Sequence, residues 1–242
     1  MKITLSFLIR IAVPAVLTFA ATGFARQTAA QNQQMQERIA EVKEAAARNK
    51  QALGQYTWTE QVNIILKGEQ KKQEHFQVRL GPDGKPQKTA LDSAASNEGG
   101  GREGRLKKHI VEKKKEEYKE YADQIKALVQ QYVPPGKDKL AQAQQQGNIL
   151  VGAQPGTEGQ YRLVISNYVK QGDNMTLVVD KVQKDLVSLS ISTYLDDPKD
   201  AVNVSVQFSA IPGGPNHVSS ETINGVSKQL TIAIQNMNYQ HL

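Results

Sequence analysis

The stretch YTWTEQVNIILKGEQKKQEHFQVRL, Tyr56 to Leu80, decides how the chain is to be read, together with GPDGKPQKTAL, Gly81 to Leu91, which follows it. Tyr56, Trp58, Val62, Ile64 and Leu66 fall on even positions, while Thr57, Thr59, Gln61 and Asn63 fall on odd ones. A period of two places the apolar residues on one face of a half-buried strand. KGEQ supplies the glycine of a tight connection. EHFQVRL then sets Phe76, Val78 and Leu80 against His75, Gln77 and Arg79. PDG turns the chain once more, since proline pre-sets one turn dihedral and glycine accepts positive φ, and QKTAL begins a third strand.

The glycines, lysine and threonine of GPDGKPQKT superficially suggest a phosphate loop. Such a loop offers several backbone N–H groups and leads into a helix. Pro82 and Pro86 have no N–H to offer, and strands lie on both sides. The segment is the second turn of a β-meander, with Lys85 and Lys88 expected as solvated neighbours.

Upstream, MKITLSFLIRIAVPAVLTFAATGFARQ places Lys2 and Arg10 before an uncharged run from Ile11 to Ala25. That run falls short of the roughly 18 or more apolar residues of a bilayer span. Gly23 and Ala25 stand where a secretory cleavage site wants small residues, so residues 1–25 read as a signal peptide. Cleavage after Ala30, or retention as an anchor, are the alternatives. The expected location is periplasmic or extracellular. The chain has no cysteine, so packing must supply stability without disulfides. Its formal charge of +6 includes Lys2 and Arg10. What remains after cleavage is mildly basic, which favours solubility or contact with acidic surfaces and gives no indication of nucleic acid.

From Ala29 to Gln55, Met35, Ile39, Val42, Ala46 and Leu53 recur near a helical period among strong helix formers. The narrow apolar stripe needs a surface to lie on. SAASNEGGGREG reads as a flexible linker. RLKKHIVEKKKEEYKEYADQIKALVQQYV then carries Leu106, Ile110, Tyr118, Tyr121, Ile125, Leu128 and Tyr132 along one stripe. Nine Lys/Arg and six Asp/Glu lie between Arg102 and Lys126, a compensated, solvated face rather than a nucleic-acid arm. Pro134, Pro135 and Gly136 end this helix, and a short one follows from Lys137 to Gln146.

From Asn148 the chain reads as strands. AVNVSVQFSAI alternates strictly, with Val202, Val204, Val206 and Phe208 on one face, and KQLTIAIQNMNY puts Leu230, Ile232 and Ile234 together. About nine strands at hairpin spacing predict one large antiparallel sheet. The fold class is therefore α+β: a curved antiparallel sheet, an incomplete β-barrel, covered by an N-terminal helix and an inserted helical segment. Residues 26–242 form a single domain with the linker and helical insertion at about 92–147.

This order of elements, ending in LDDPKDAVNVSVQF and INGVSKQLTIAIQNMNY, resembles the periplasmic lipoprotein carrier/receptor superfamily. The resemblance implies an open barrel lined with apolar side chains and covered by helices, whose cavity receives acyl chains. The charged helix is longer than that family's lid helices, and no residue here takes the place of its lid-closing arginine.

The residues offer little for chemistry. His75, His109, His217 and His241 are dispersed and read as surface histidines; none belongs to a zinc motif. Asp196, Asp197 and Asp200 in LDDPKD lack calcium-loop spacing and read as a polar turn. No catalytic residue, metal ligand or cofactor is expected. The candidate ligand lining is Trp58, Val62, Ile64, Phe76, Val78, Val204, Val206, Phe208, Ile232 and Ile234. The expected function is non-enzymatic binding of an apolar ligand, a lipid or the acyl chains of a lipoprotein. The alternative is an envelope interaction or sensor protein whose helices fill the concavity and contact a protein partner or membrane surface.

Overall fold

The computed structural model describes residues 29–91 and 105–242. The expected signal peptide and most of the expected linker lie outside the described residues. Helix α1 (Ala29–Leu53) leads into strands β1 (Tyr56–Leu66), β2 (Glu69–Leu80) and β3 (Pro86–Ala90). Helices α2 (Arg105–Val129) and α3 (Lys137–Gln145) follow. The remaining strands are β4 (Ile149–Ala153), β5 (Gln160–Ser166), β6 (Asn174–Asp180), β7 (Leu186–Tyr194), β8 (Ala201–Ala210), β9 (Asn216–Gly225) and β10 (Leu230–His241).

All ten strands join one antiparallel sheet in the order β3-β2-β1-β10-β9-β8-β7-β6-β5-β4, which leaves β3 and β4 as unclosed edges. The expected α+β class and open sheet are thus present. The strand count exceeds the sequence reading by one, because β4 is a short edge strand. In it only Ile149 is buried, while Leu150 and Val151 are exposed, so ILVGA has no alternation to read.

The meander forms as its turns dictate. Lys67 and Gly68 both take positive φ, 53° and 80°, the geometry of a two-residue hairpin turn. In the next turn the Gly84 N–H donates to the Gly81 carbonyl, and Asp83 Oδ1 accepts from the Lys85 N–H at 3.0 Å. The LDDPKD segment is likewise a turn, with Asp197 Oδ1 accepting from the Lys199 N–H at 2.8 Å. The first and last strands pair inside the sheet, two strands in from the β3 edge, from Tyr56 opposite His241 to Leu66 opposite Leu230.

One face of the sheet carries the core, and the helices lie on it. Tyr121, Ile125 and Leu128 of α2, with Tyr132 just beyond it, are buried in one cluster with Leu189, Ile191, Val202, Val204 and Leu230. The fit at β9 is close. A Cβ on Gly225 would lie 2.6 Å from Tyr121 Cε1 and 2.7 Å from Ile125 Cδ1, so only glycine lets the helix approach.

Beside this cluster, the fully buried Asp173 carboxylate organises the β5–β6 connection. Its Oδ1 accepts the Tyr168 N–H at 2.6 Å, and its Oδ2 accepts the Val169 N–H, the Lys170 N–H and the Tyr132 hydroxyl at 2.8, 2.9 and 2.6 Å. Every donor there has its acceptor, as a buried charge requires. Burial, with Asp173 as the next cause, raises the Tyr132 pKa.

Candidate functional site

Helix α1 is the Ala-rich element, and its inward stripe is sparse beyond Met35: Met35 and Ala45 are buried, Ile39, Val42, Asn49 and Leu53 are half-buried, and Ala46 borders the space beside them while staying exposed. Laid across β5, β6 and β7, such a stripe cannot fill the space above the sheet. A cavity of about 340 Å³ remains, bounded below by Leu163, Ile165, Leu177 and Leu186 and closed at one end by Leu140, Pro134 and Pro135. A second, of about 240 Å³, runs toward the C-terminal end of α1, where Phe208, Asn216, His217 and Val218 face Asn49, Lys50 and Leu53. Both cavities are bordered by Val42, Ala46 and Leu186, so they adjoin beneath the helix. A more polar cleft of about 300 Å³ separates α1 from α3 beside Gln36 and Gln144.

Polar contacts pin α1 at its end. Asn49 donates from Nδ2 to Asp185 Oδ1 at 2.7 Å, and its Oδ1 accepts the Asn216 N–H at 3.1 Å. The helix carries four cations. Arg38 lies 4.5 Å above the Tyr161 ring, and Arg48 pairs with Glu44 at 3.2 Å. Lys43 borders the larger cavity and Lys50 the smaller, and neither has an anionic partner among the described residues. A Cβ on Gly84 would lie 3.0 Å from Lys50 Nζ, which sets that ammonium against the β2–β3 turn.

His217 differs from the sequence expectation of a surface histidine: it is buried, its ring 4.0 Å from that of Tyr239, which in turn stacks on Trp58 at 5.6 Å. Its Nδ1 has no well-aligned hydrogen-bond partner. Burial lowers the His217 pKa, with the Pro215 carbonyl opposing the shift. The neutral imidazole is the form the site holds at neutral pH. His75 is half-buried and His241 exposed. The His109 side chain lies outside the described residues.

The ten residues proposed from the sequence share one face of the sheet. Val62 pairs with Ile234, Ile64 with Ile232 and Trp58 with Val78, while Val204 and Val206 continue the row across β8. Their surroundings differ. Val204 and Val206 are buried in the core cluster, with Ile64, Phe208 and Ile232 packed against it. Trp58 and Val78 are buried, and the Trp58 indole donates to Asn236 Oδ1 at 3.1 Å. Val62, Phe76 and Ile234 are half-buried. Of the ten, Phe208 alone borders either of the two adjoining cavities.

The same face also carries charge. Glu60 is buried and bonded to Lys88, whose own side chain stays exposed as the sequence suggested. Glu221, on the row between Val206 and Ile234, has its pKa raised by burial first and by Glu60 second, with Lys88 opposing.

Sequence reasoning missed Leu163, Ile165, Leu177 and Leu186 as cavity walls. The available signal was the contrast between the two helices: C-terminal to Met35, Ile39 and Val42, α1 turns Ala45 and Asn49 inward, whereas α2 turns Tyr, Ile and Leu.

Among the described residues no three His, Cys, Asp or Glu side chains gather to hold a metal ion, and no helix is long and apolar enough to cross a membrane. No family model matches the chain. No curated protein matches it either. Among solved structures, the chain is similar to the crystal structure of a DUF1329 family protein from Desulfovibrio piger ATCC 29098, at 11% identity and a TM-score of 0.37, over 84% of this chain and 92% of that one.

Proposed function

We propose that the protein is a non-enzymatic, periplasmic or extracellular binder of an apolar ligand, a lipid or the acyl chains of a lipoprotein, held between α1 and the inner face of the sheet. The supporting observation is the pair of adjoining cavities beneath α1, whose walls are chiefly Leu, Ile, Val, Phe and Pro side chains. An acyl chain entering them gains about 0.8 kcal/mol for each CH₂ buried. Both spaces open part-way to solvent beside Lys43, Ala46 and Lys50, so a chain enters with at most a small shift of α1. Its polar attachment at Asn49 is a small number of hydrogen bonds and easily remade.

A second reading rests on α2. Its C-terminal half packs Tyr121, Ile125 and Leu128 on the core, while Lys113, Lys114, Lys115, Glu116, Glu117, Lys119 and Glu120 are exposed around the turns before it. On that reading the protein is an envelope interaction protein, and α2 meets a protein partner or membrane surface.

Mass spectrometry of the protein recovered from its native compartment separates the two. Under the first reading the native mass exceeds the denatured mass by one lipid, and Ala46→Trp, which fills the junction of the cavities without burying a charge, removes that difference. A clean apo mass with no uptake of a fluorescent fatty acid would sink the first reading and direct attention to a partner of α2.

A further inference from the structure

We infer that the ligand is a single-chain amphiphile with an anionic head, a long-chain carboxylate, and that its head lies at the Lys50 end of the paired cavities with its tail toward Leu163, Ile165 and Leu177. This rests on the proposal that the cavities hold an apolar ligand, and it specifies which one. Three observations converge on it.

The cations of α1 divide into two kinds. Arg38 and Arg48 are engaged by Tyr161 and Glu44. Lys43 and Lys50, the two on the cavity borders, have no anionic partner among the described residues. Lys184 is occupied by Glu41 at 3.2 Å, and the neighbouring Asp185 accepts from Asn49, so neither provides the missing charge. Both ammonium groups reach solvent, so each stands free to meet a ligand anion at the mouth of its cavity.

The polarity of the two cavities is unequal. Around the smaller one stand Asn49, Lys50, Asn216 and His217, and the buried Nδ1 of His217 still lacks a well-aligned partner. Buried polar atoms are seldom left so. The walls of the larger cavity are apolar apart from Lys43. Head and tail therefore have separate places.

Size sets the number of chains. Volumes of about 340 and 240 Å³ lie near the lower end of the range for small-molecule sites, and the cavities adjoin along a short border of Val42, Ala46 and Leu186. One chain threads this path.

The test is calorimetric titration of delipidated protein with three probes of equal chain length: dodecanoate, dodecanol and dodecyltrimethylammonium. Dodecanoate is expected to bind about tenfold more tightly than the other two. Lys50→Gln erases this preference, whereas Lys43→Gln leaves it. Both lysines are exposed, so unchanged melting curves will show that the variants fold. Equal affinity for all three probes overturns the anionic head and leaves the binding function standing. Equal loss in Lys43→Gln and Lys50→Gln overturns its placement. If no probe binds, both the inference and the function beneath it fail.

Discussion

The two ends of strand β9 meet helices in opposite ways. At Gly225 the strand lies so close to α2 that a single methyl group would collide with Tyr121 and Ile125. At Asn216, nine residues earlier on the same strand, it borders a cavity beneath α1. The sheet is continuous between these points. The difference lies in what each helix presents there, Tyr121 and Ile125 from α2 against Ala46 and Asn49 from α1. Whether an apolar sheet face becomes core or container is decided by the size of what is laid over it.

The largest expected effect probes the filled end. Asp173→Ala leaves three backbone N–H groups without their acceptor and the Tyr132 hydroxyl with only Thr193 Oγ1, at 2.7 Å, to bond, and is expected to cost about 3 kcal/mol or more in urea denaturation. A loss under about 1 kcal/mol would mean that this end is looser than described. Gly225→Val comes next, at about 3 kcal/mol, because α2 must move to admit the side chain. The contrasting substitution is Ala46→Leu, which enlarges a side chain over the cavities. It is expected to stabilise by about 1 kcal/mol, since it fills space at only a small cost in helix propensity. A comparable loss in both variants would erase the distinction between the two ends.

The smallest effect belongs to Glu221, midway along β9. Its pKa is raised on folding, so between the ordinary value of 4.5 and the raised one the native state binds more protons than the unfolded. Stability from this group is full below pH 4.5 and falls as the pH rises through that interval. Glu221→Gln is therefore expected to raise the urea midpoint at pH 7 while leaving it little changed at pH 4. An equal shift at both pH values would show that the carboxylate's charge is not the cause.

The sheet was legible in the sequence because alternation survives wherever one face is buried, as in AVNVSVQFSAI, whose Val202, Val204 and Val206 are all buried. Strand β4 escaped notice because an edge strand with both faces partly open has no reason to alternate. The shared face of the ten lining candidates was legible too, since a period of two fixes it. Their relation to the cavities was not. That depends on where α1 and α2 rest, and helix periodicity states which side faces inward without stating which strands it faces. His217 was misjudged for a similar reason: its burial comes from Tyr239, a residue of a different strand.

The pairing of β1 with β10 bears on the order in which the molecule can be assembled. The meander β1–β3 precedes the other seven strands in the chain, yet its only neighbour in the sheet is β10. Closing a loop of that length is entropically slow, and the N-terminal hairpins have nothing to dock on until β10 arrives. In pulse-labelled hydrogen exchange the amides of β1 are expected to gain protection together with those of β10, after β5–β8 have zipped. Until β10 is in place, the N-terminal meander has no strand to pair with, although the β5–β8 part of the sheet can already form.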